Sequence, residues 1–431
     1  MPQIRENVVL VHWHDVGRHL HSYGVEGVVS PRTDALAAES FRFTDAHATA
    51  PLCSPSRGSL LTGRYPHDNG LVGLAHHGWA YHDDVETLPA VLAGHGWHTA
   101  LFGMQHESTD PATLGYDEHD ASNSFCDHVV SLAESFLERV GDRPFLLNAG
   151  FFETHRPYPA SDYEHADPAT VTVPDYLPDT ASVREDLAGF YGSIVKADAA
   201  VGRLLDALDR HGLAENTWVV FHTDHGEAFP RAKSTLYAPG TGIALMIRPP
   251  RGRGLATRNL DELFSGVDLV PTLLNLLAVE VPAKVQGVSH AAQLLDRTAP
   301  AARTEVFTEK TYHDSYDPIR AVRTKAFSYL ENYTDQPELV LPLDIADSLS
   351  GVAVAGSYDA RRPPVELYDL RADPGERTNL AGLPEYADVQ AELALLLRRW
   401  REETGDELPS PAEGAAIAER NLTDHLARQE V

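Results

Sequence analysis

Cysteine is scarce in this sequence, and long apolar runs are missing. The 431 residues include two cysteines, Cys53 and Cys126, which excludes a small fold held together by disulfide bonds. No apolar run approaches the roughly 20 residues that a helix needs to cross a bilayer. The first residues do not read as a signal peptide, because a core strand begins by Asn7, and we therefore expect a cytoplasmic protein.

Basic residues are also in short supply. Lysine and arginine total 35 against 63 aspartates and glutamates, which gives a formal net charge of -28. This balance argues against nucleic acid and against an anionic membrane surface as partners. It leaves an anionic substrate open, because a binding site can be locally positive. Apolar content is ordinary for a globular protein, and the length suits one large domain with a smaller one.

The stretch 51–64 organises the chain. Its sequence, PLCSPSRGSLLTGR, predicts a loop that enters a helix, with Ser54 or Ser56 as the expected N-terminal cap. The unpaired N–H groups of a helix N-terminus and the guanidinium of Arg57 would surround Cys53 with positive charge. Such a place favours anions and a reactive cysteine. The alternative is a buried structural cysteine in front of a capped helix.

Polar side chains follow several predicted strands at the point where each strand ends. These strands are continuous apolar runs, which is typical of a parallel sheet buried on both faces. They run from Asn7 to Trp13, Trp97 to Phe102, Pro144 to Ala149 and Thr217 to His222. The first leads into His14 and Asp15, and the last leads into Asp224 and His225. Because the carboxyl ends of such strands carry the site in open α/β sheets, we expect these two pairs to lie side by side.

The motif Cys53-x-Pro55-Ser56-Arg57, followed by an apolar helix and Thr-Gly-Arg, resembles the signature of the type I sulfatases. These are the formylglycine-dependent sulfatases of the alkaline phosphatase superfamily. The segment 67–81 is most similar to the heparan N-sulfatase-like branch. The resemblance implies an α/β fold of the alkaline phosphatase type, with a mixed, mostly parallel central sheet flanked by helices. It also implies a smaller C-terminal α+β subdomain that combines an antiparallel sheet with a helix.

The resemblance extends into the C-terminal part of the chain. A weak boundary rich in Ala and Pro, near residues 299–303, separates a sulfatase catalytic domain, residues 1–300, from a C-terminal subdomain, residues 301–431. Beyond it, the motifs at 366–370 and 373–376 match the C-terminal pattern of the sulfatases. A helix is expected from Ala387 to Thr404.

The resemblance also implies a nucleophile. In the family the signature cysteine, here Cys53, is oxidised to formylglycine by a formylglycine-generating enzyme. The aldehyde is hydrated to a geminal diol. One hydroxyl of the diol attacks sulfur, and the other then expels sulfate by collapsing back to the aldehyde.

Other residues receive roles by the same resemblance. The implied catalytic residues are Cys53, Arg57, His106, His155 and Lys233, and the implied metal ligands are His14, Asp15, Cys53, Asp224 and His225. Arg57 and Lys233 would stabilise the charge on the sulfuryl oxygens. His106 would hydrogen-bond the formylglycine diol, and His155 would protonate the leaving-group oxygen.

Two positions depart from the family pattern. His14 replaces the first of two aspartates that bind the cation, and Met104 replaces a lysine that touches the sulfate. Family members hold calcium or magnesium, which prefer oxygen ligands. Two imidazoles, from His14 and His225, together with two carboxylates suit manganese, zinc or iron better. The alternative is that His14 is not a ligand and only orients Asp15.

The expected function is hydrolysis of a sulfate ester or sulfamate, of a sugar or a small metabolite, that depends on formylglycine and one divalent metal ion. One alternative is a phosphonate monoester hydrolase or phosphodiesterase of the same superfamily, because a site without this lysine would suit a substrate with fewer charged oxygens. The other is a non-catalytic binding protein, against which the joint presence of the motif and the strand-end histidines argues. The expected partner is an anionic small molecule or saccharide, and a homo-oligomer is compatible with the sequence. His76, His77 and Trp79 either line a substrate pocket or belong to a surface loop.

Overall fold

A computed structural model describes residues 5–410, 412–416 and 419–420. Within these residues the strands form a sheet of eight and a sheet of four. The strands are β1 (Asn7–Trp13), β2 (Phe41–His47), β3 (His98–Gly103), β4 (Glu118–Asp120), β5 (Phe145–Phe151), β6 (Thr217–Thr223), β7 (Gly242–Arg248), β8 (Asn259–Ser265), β9 (Glu305–Tyr312), β10 (Tyr316–Thr324), β11 (Phe327–Asn332) and β12 (Val365–Asp369). No helix in the described part of the chain combines the length and the apolar character that crossing a membrane requires.

The larger sheet has the strand order β4-β3-β5-β1-β6-β7-β2-β8. β1 pairs in parallel with β5 and β6, and β3 pairs in parallel with β4 and β5. β7 runs antiparallel to both of its neighbours, whereas β8 is parallel to β2. The sheet is therefore mixed and mostly parallel, and this prediction is confirmed. Because β1, β3, β5 and β6 share one direction, their carboxyl ends lie at the same edge.

Helices cover both faces of the larger sheet. The α-helices of the described residues are α1 (Pro31–Ala38), α2 (Cys53–Thr62), α3 (Pro66–Asn69), α4 (Leu88–Gly94), α5 (Cys126–Arg139), α6 (Ala181–Arg210), α7 (Ala238–Thr241), α8 (Leu269–Leu276), α9 (Ala291–Leu295), α10 (Leu343–Ala346), α11 (Leu349–Ala353) and α12 (Ala387–Thr404). Side chains of α1, α5 and α6, such as Phe136 and Phe190, bury one face together with Trp13 of β1. Side chains of α2, α4 and α8, such as Leu92 and Leu273, bury the other face. Burial of each large apolar side chain contributes about 1.5–3 kcal/mol.

The smaller sheet is antiparallel and has the order β12-β11-β10-β9. Helix α12 packs on it through Leu393, Leu397 and Trp400, which contact Phe307 of β9 and Val322 of β10. The sheet and this helix confirm the α+β character expected of the C-terminal part. The predicted division into residues 1–300 and 301–431 stays a prediction, and residues 411, 417–418 and 421–431 of the second range lie outside the described residues.

One local prediction was wrong, and two strands were not predicted. Helix α2 begins at Cys53 behind an extended Leu52, and neither expected serine caps it. Instead, Ser56 donates to the carbonyl of Asp224 and Ser54 accepts from the N–H of Ala75, so tertiary contacts occupy both hydroxyls. Strands β4 and β8 were not anticipated either, because both are rich in charged residues and lie at the edges of the sheet.

Candidate active site

Two pairs of polar residues follow the adjacent strands β1 and β6. These strands pair in parallel, so His14 and Asp15 lie beside Asp224 and His225. The backbone N–H of Asp15 donates to Oδ1 of Asp224 at 3.0 Å, and the N–H of His225 donates to the same oxygen at 2.9 Å. Asp15 has a φ of 52°, a left-handed conformation that costs a non-glycine residue about 1–3 kcal/mol and is typical of functional sites.

Four buried side chains at these strand ends form a candidate metal site. One ligand atom from each of His14, Asp15, Cys53 and Asp224 lies within 4.8 Å of the others. The Nδ1 of His14 is 3.1 Å from Oδ2 of Asp224, and the Nε2 of His225 is 3.1 Å from Oδ1 of Asp15. Neither Nε2 of His14 nor Oδ1 of Asp15 makes a well-directed hydrogen bond, although buried polar atoms normally require a partner. This donor set therefore fits a divalent cation, with the mixed nitrogen and oxygen character of manganese, zinc or iron sites.

Electrostatics at the strand ends also favour a bound cation. Burial lowers the pKa of His14 to about 3, so the ring is neutral, which is the form that ligates a metal. Burial would raise the pKa of Asp15, but Lys233, His155 and His225 together outweigh burial and hold this pKa well below its ordinary value. Burial would lower the pKa of His225, but Asp224, Asp15 and Cys53 together raise it well above its ordinary value. A divalent cation would supply the positive charge that the proton on His225 supplies otherwise.

Helix α2 brings Cys53 and Arg57 to the same centre. Cys53 is the first residue of the helix, and its Sγ lies 3.5 Å from Nε2 of His225. The Nε of Arg57 donates to Oδ2 of Asp224 at 3.1 Å, and its Nη1 donates to Nδ1 of His12 at 2.9 Å. A guanidinium can only donate, so the neutral ring of His12 carries its proton on Nε2. The Nη2 of Arg57 is buried without a partner, which leaves one donor for an anion.

Lys233 and His155 lie on either side of Asp15. The Nζ of Lys233 is 2.9 Å from Oδ2 of Asp15 and 2.9 Å from Oδ2 of Asp344, which belongs to α10. The Nδ1 of His155 donates to the carbonyl of Arg156 at 2.6 Å, and its Nε2 lies 3.7 Å from Oδ2 of Asp15. This arrangement leaves Nε2 of His155 as the atom that can hold or release a proton.

Histidine rings form one wall of the site. The ring of His14 lies 5.1 Å from that of His106 and 5.3 Å from that of His155, measured between centroids. Burial, reinforced by His14, lowers the pKa of His106 well below its ordinary value, so its ring is neutral. Met104 is buried after β3 and presents no charge where the family has a lysine.

The segment that contains His76, His77 and Trp79 lies partly at this wall. The ring of His76 is 6.0 Å from that of His106 and 4.2 Å from that of His77. Trp79 packs against Tyr312 of β9, with ring centroids 4.8 Å apart. The ring of His76 thus lies next to that of His106, a predicted catalytic residue.

The structure brings every predicted site residue into one group. They are His14, Asp15, Cys53, Arg57, His106, His155, Asp224, His225 and Lys233. Sequence reasoning missed His12 and Asp344. His12 precedes His14 by two residues and so faces the same side of β1, a spacing that could have revealed it. No local pattern marks Asp344. Carboxylates at the strand ends, the buried Cys53 and the cationic side chains of Arg57 and Lys233 meet at one edge of this sheet. The fold and the site together define a hydrolase of the alkaline phosphatase-like type.

The chain belongs to the sulfatase family, whose model, described as Sulfatase, matches residues 6–279. Human N-sulphoglucosamine sulphohydrolase is 30% identical over 456 aligned positions, which cover 93% of this chain and 90% of the relative. The resemblance to the sulfatases is thus confirmed, and a relative named for an N-sulfated sugar agrees with the expected heparan N-sulfatase-like branch. The chain is a sulfuric ester hydrolase.

Solved structures share the fold. One, from a glycosaminoglycan-metabolism locus of Bacteroides thetaiotaomicron, has a TM-score of 0.78 at 21% identity and covers 98% of this chain and 99% of its own. Another, in complex with its substrate D-glucosamine-2-N,6-O-disulfate, has a TM-score of 0.72 at 20% identity and covers 94% of this chain and 99% of its own. These neighbours confirm the alkaline phosphatase-like architecture.

Proposed function

We propose that this protein is a formylglycine- and divalent-metal-dependent sulfatase that hydrolyses a sulfate ester or sulfamate of a sugar. The observation that carries the proposal is the place of Cys53. Its Sγ is at the N-terminus of α2, within 4.8 Å of ligand atoms of His14, Asp15 and Asp224. A nucleophile there would face both a cation and the donors of Arg57.

The residues of the chain divide the chemical work. Formylglycine derived from Cys53 would supply a hydrated aldehyde as the nucleophile, and a divalent cation held by His14, Asp15, Asp224 and His225 would stabilise negative charge. Nη2 of Arg57, which has no partner, and Nζ of Lys233 bind the sulfuryl oxygens. His155 gives its proton from Nε2 to the leaving oxygen or nitrogen. The neutral ring of His106, which lies beside His14, hydrogen-bonds the nucleophile.

The proposal of a sugar substrate comes from relatives. The sulphohydrolase relative is named for N-sulphoglucosamine, and a structural neighbour was solved with a doubly sulfated glucosamine. The site itself offers side chains that suit a hydroxylated leaving group. Asp344 and His76 lie at its border and can accept and donate hydrogen bonds to sugar hydroxyls.

The proposed metal is a transition metal, with manganese, zinc or iron ahead of calcium or magnesium. Support comes from the neutral ring of His14, which approaches Asp224 within 3.1 Å and leaves Nε2 unpartnered. Metal analysis of protein that never met a chelator tests this, and stoichiometric calcium would contradict it. Maturation by a formylglycine-generating enzyme and a cytoplasmic location complete the proposal.

The main experiment combines peptide mass spectrometry across Cys53 with turnover assays. The protein is produced together with a formylglycine-generating enzyme, and an aryl sulfate is compared with an aryl phosphonate, with and without manganese. We expect a converted residue 53 and turnover of the sulfate that Cys53→Ala abolishes. Cys126→Ala is the matched control, because Cys126 is a buried core thiol of helix α5 and belongs to neither group of candidate metal ligands that contains Cys53. A converted protein without sulfate turnover would contradict the proposal.

Phosphonate monoester or phosphodiester hydrolysis is the second candidate. The observation that favours it is Met104, a buried apolar side chain at the position where the family has a lysine. A site with fewer cations suits a substrate with fewer charged oxygens. Faster turnover of the aryl phosphonate than of the aryl sulfate, by the converted protein, would select this function.

A further inference from the structure

We propose that the chain, before conversion of Cys53, holds a zinc ion through His14, Cys53 and His106. This soft-metal site differs from the cation site of the mature enzyme, because His106 replaces the strand-end carboxylates as a principal ligand. Conversion of Cys53 to an aldehyde removes the sulfur and with it the site. Metal preference therefore changes when the nucleophile is formed.

The first argument for this zinc site is the short distance between its three proposed ligands. One ring nitrogen of His14, one of His106 and the Sγ of Cys53 all lie within 4.8 Å of one another. The two imidazole rings are tilted at 73° with centroids 5.1 Å apart, so they meet at an angle instead of stacking. A tetrahedral zinc ion with ligand bonds of about 2.0–2.3 Å needs donor atoms somewhat closer than this upper limit, which small side-chain rotations provide.

The second argument is that the ring nitrogens of His14 and His106 are available to bind a metal ion. His14 is fully buried, and its Nε2 has no hydrogen-bond partner; Nδ1 of His106 is likewise buried and unpartnered. The Sγ of Cys53 lies 3.5 Å from Nε2 of His225 and within 4.8 Å of one ring nitrogen of His14 and one of His106. Buried imidazole nitrogens without partners are costly, and a metal ion satisfies them. Three protein ligands leave the fourth position of a tetrahedral zinc ion to a solvent molecule.

The third argument is the preference of these ligands for zinc. Two imidazoles and a thiolate are soft donors, which select zinc over magnesium or calcium. Binding requires the thiolate, so the thiol proton of Cys53 passes to solvent when the ion enters. An aldehyde or its hydrate offers oxygen only. The converted site therefore loses the donor that most favours zinc, whereas His14, Asp15 and Asp224 remain for the cation of the mature enzyme.

The test uses the full chain produced in a host without a formylglycine-generating enzyme, with an intact Cys53 verified by mass spectrometry. The protein is stripped of metal, incubated with zinc in excess magnesium, passed through a desalting column and analysed for zinc. Cobalt then replaces zinc as an optical probe. We expect one zinc per chain and a thiolate-to-cobalt charge-transfer absorption in the near ultraviolet.

Variants separate this site from the strand-end carboxylate site. Cys53→Ser is expected to abolish the charge-transfer band, and His106→Ala to weaken zinc binding about tenfold or more. Cys126→Ala and His21→Ala, which change the buried core thiol of α5 and an exposed histidine, control for other cysteines and histidines, and circular dichroism verifies folding. Absence of the charge-transfer band in the parent chain, or unchanged zinc affinity in His106→Ala, would overturn the proposal. The test involves no turnover, so its failure is distinguishable from failure of the proposed function.

Discussion

At the scale of single residues, Arg57 depends on two acceptors from different strands. Oδ2 of Asp224, after β6, and Nδ1 of His12, in β1, receive its Nε and Nη1 protons. The planar guanidinium is thereby fixed in orientation, and its remaining Nη2 is left for an anion. A lysine has a single flexible ammonium and cannot reproduce this fixed fork.

We expect Arg57→Lys to lower kcat for an aryl sulfate by about 100- to 1,000-fold, the range found when one donor to a developing oxyanion is removed. The variant keeps the charge but loses the fixed geometry, so the effect isolates orientation. Steady-state kinetics with the fully converted protein measures it. Arg248→Lys changes a different buried arginine and should leave kcat unchanged. A kcat near that of the parent would show that Arg57 does not contact the reacting group.

His14→Asp restores the carboxylate that the sulfatase pattern has at this position. We expect the variant to retain calcium or magnesium in preference to manganese, because an oxygen donor replaces the nitrogen. Competition binding with purified, converted protein measures the preference. An unchanged metal preference would favour the alternative that His14 only orients a neighbouring carboxylate.

At the scale of elements, the short helices α10 and α11 connect the C-terminal part of the chain to the active site. Asp344 of α10 contacts Lys233, and the N–H of Leu343 donates to Asp314 at 2.9 Å. In α11 the N–H of Ser350 donates to Asp186 of α6 at 3.1 Å. These bonds hold the segment over the site, so it can contribute to substrate selection.

We expect Asp344→Asn to strengthen competitive inhibition by inorganic sulfate about two- to fivefold, an effect of the size of a partly exposed ion pair. The reason is that Lys233 would then share its charge with one carboxylate instead of two, and a negative charge beside the anion would disappear. Inhibition constants measured against an aryl sulfate test this. Asp347→Asn changes an exposed carboxylate three residues after Asp344, at the C-terminal end of the same helix, and should have no effect. Weaker inhibition in Asp344→Asn would contradict the argument.

At the scale of the whole molecule, one ionic contact joins helix α3 to the smaller sheet, and another joins the segment after α12 to the same sheet. The Nδ1 of His67, in α3, lies 2.5 Å from Oε2 of Glu309, in β9 of the smaller sheet. Arg320 of β10 makes a fork of two hydrogen bonds, both 2.7 Å, to the carboxylate of Asp406. Burial would lower the pKa of His67, but Glu309 outweighs it and raises the pKa above its ordinary value.

This pair predicts a pH dependence of stability. Because the pKa of His67 is raised in the folded protein, its stabilising effect is complete below the ordinary histidine pKa of about 6.5 and is lost as pH rises through the folded pKa. We expect His67→Gln to destabilise the protein by about 1–3 kcal/mol at low pH and by less at high pH. Urea unfolding of both proteins across this range measures the difference. If the difference in free energy of unfolding between parent and variant grew with rising pH, the stabilising role of the protonated His67 would be contradicted. His21→Gln, at an exposed position, is the control.

Much of the larger sheet was predictable because its central strands are apolar runs that end in charged residues. The same pattern placed His14, Asp15, Asp224 and His225 together, since parallel neighbours share a carboxyl edge. Contacts between distant segments were not predictable. Lys233 and Asp344 are 111 residues apart and His67 and Glu309 are 242 apart, and only the packing of the two sheets brings such pairs together. The serine caps failed for the same reason, because tertiary partners outcompeted the local hydrogen bond.

Lys233 is already engaged by two carboxylates before any substrate arrives. One of them, Asp344, is tethered to the chain and so competes with an incoming anion at a fixed and high effective concentration. A substrate anion then displaces the carboxylate of Asp344 from Lys233 when it enters, and the same carboxylate displaces the inorganic product when it leaves. Such an enzyme binds inorganic sulfate more weakly and releases it faster, so product at modest concentration would inhibit it little.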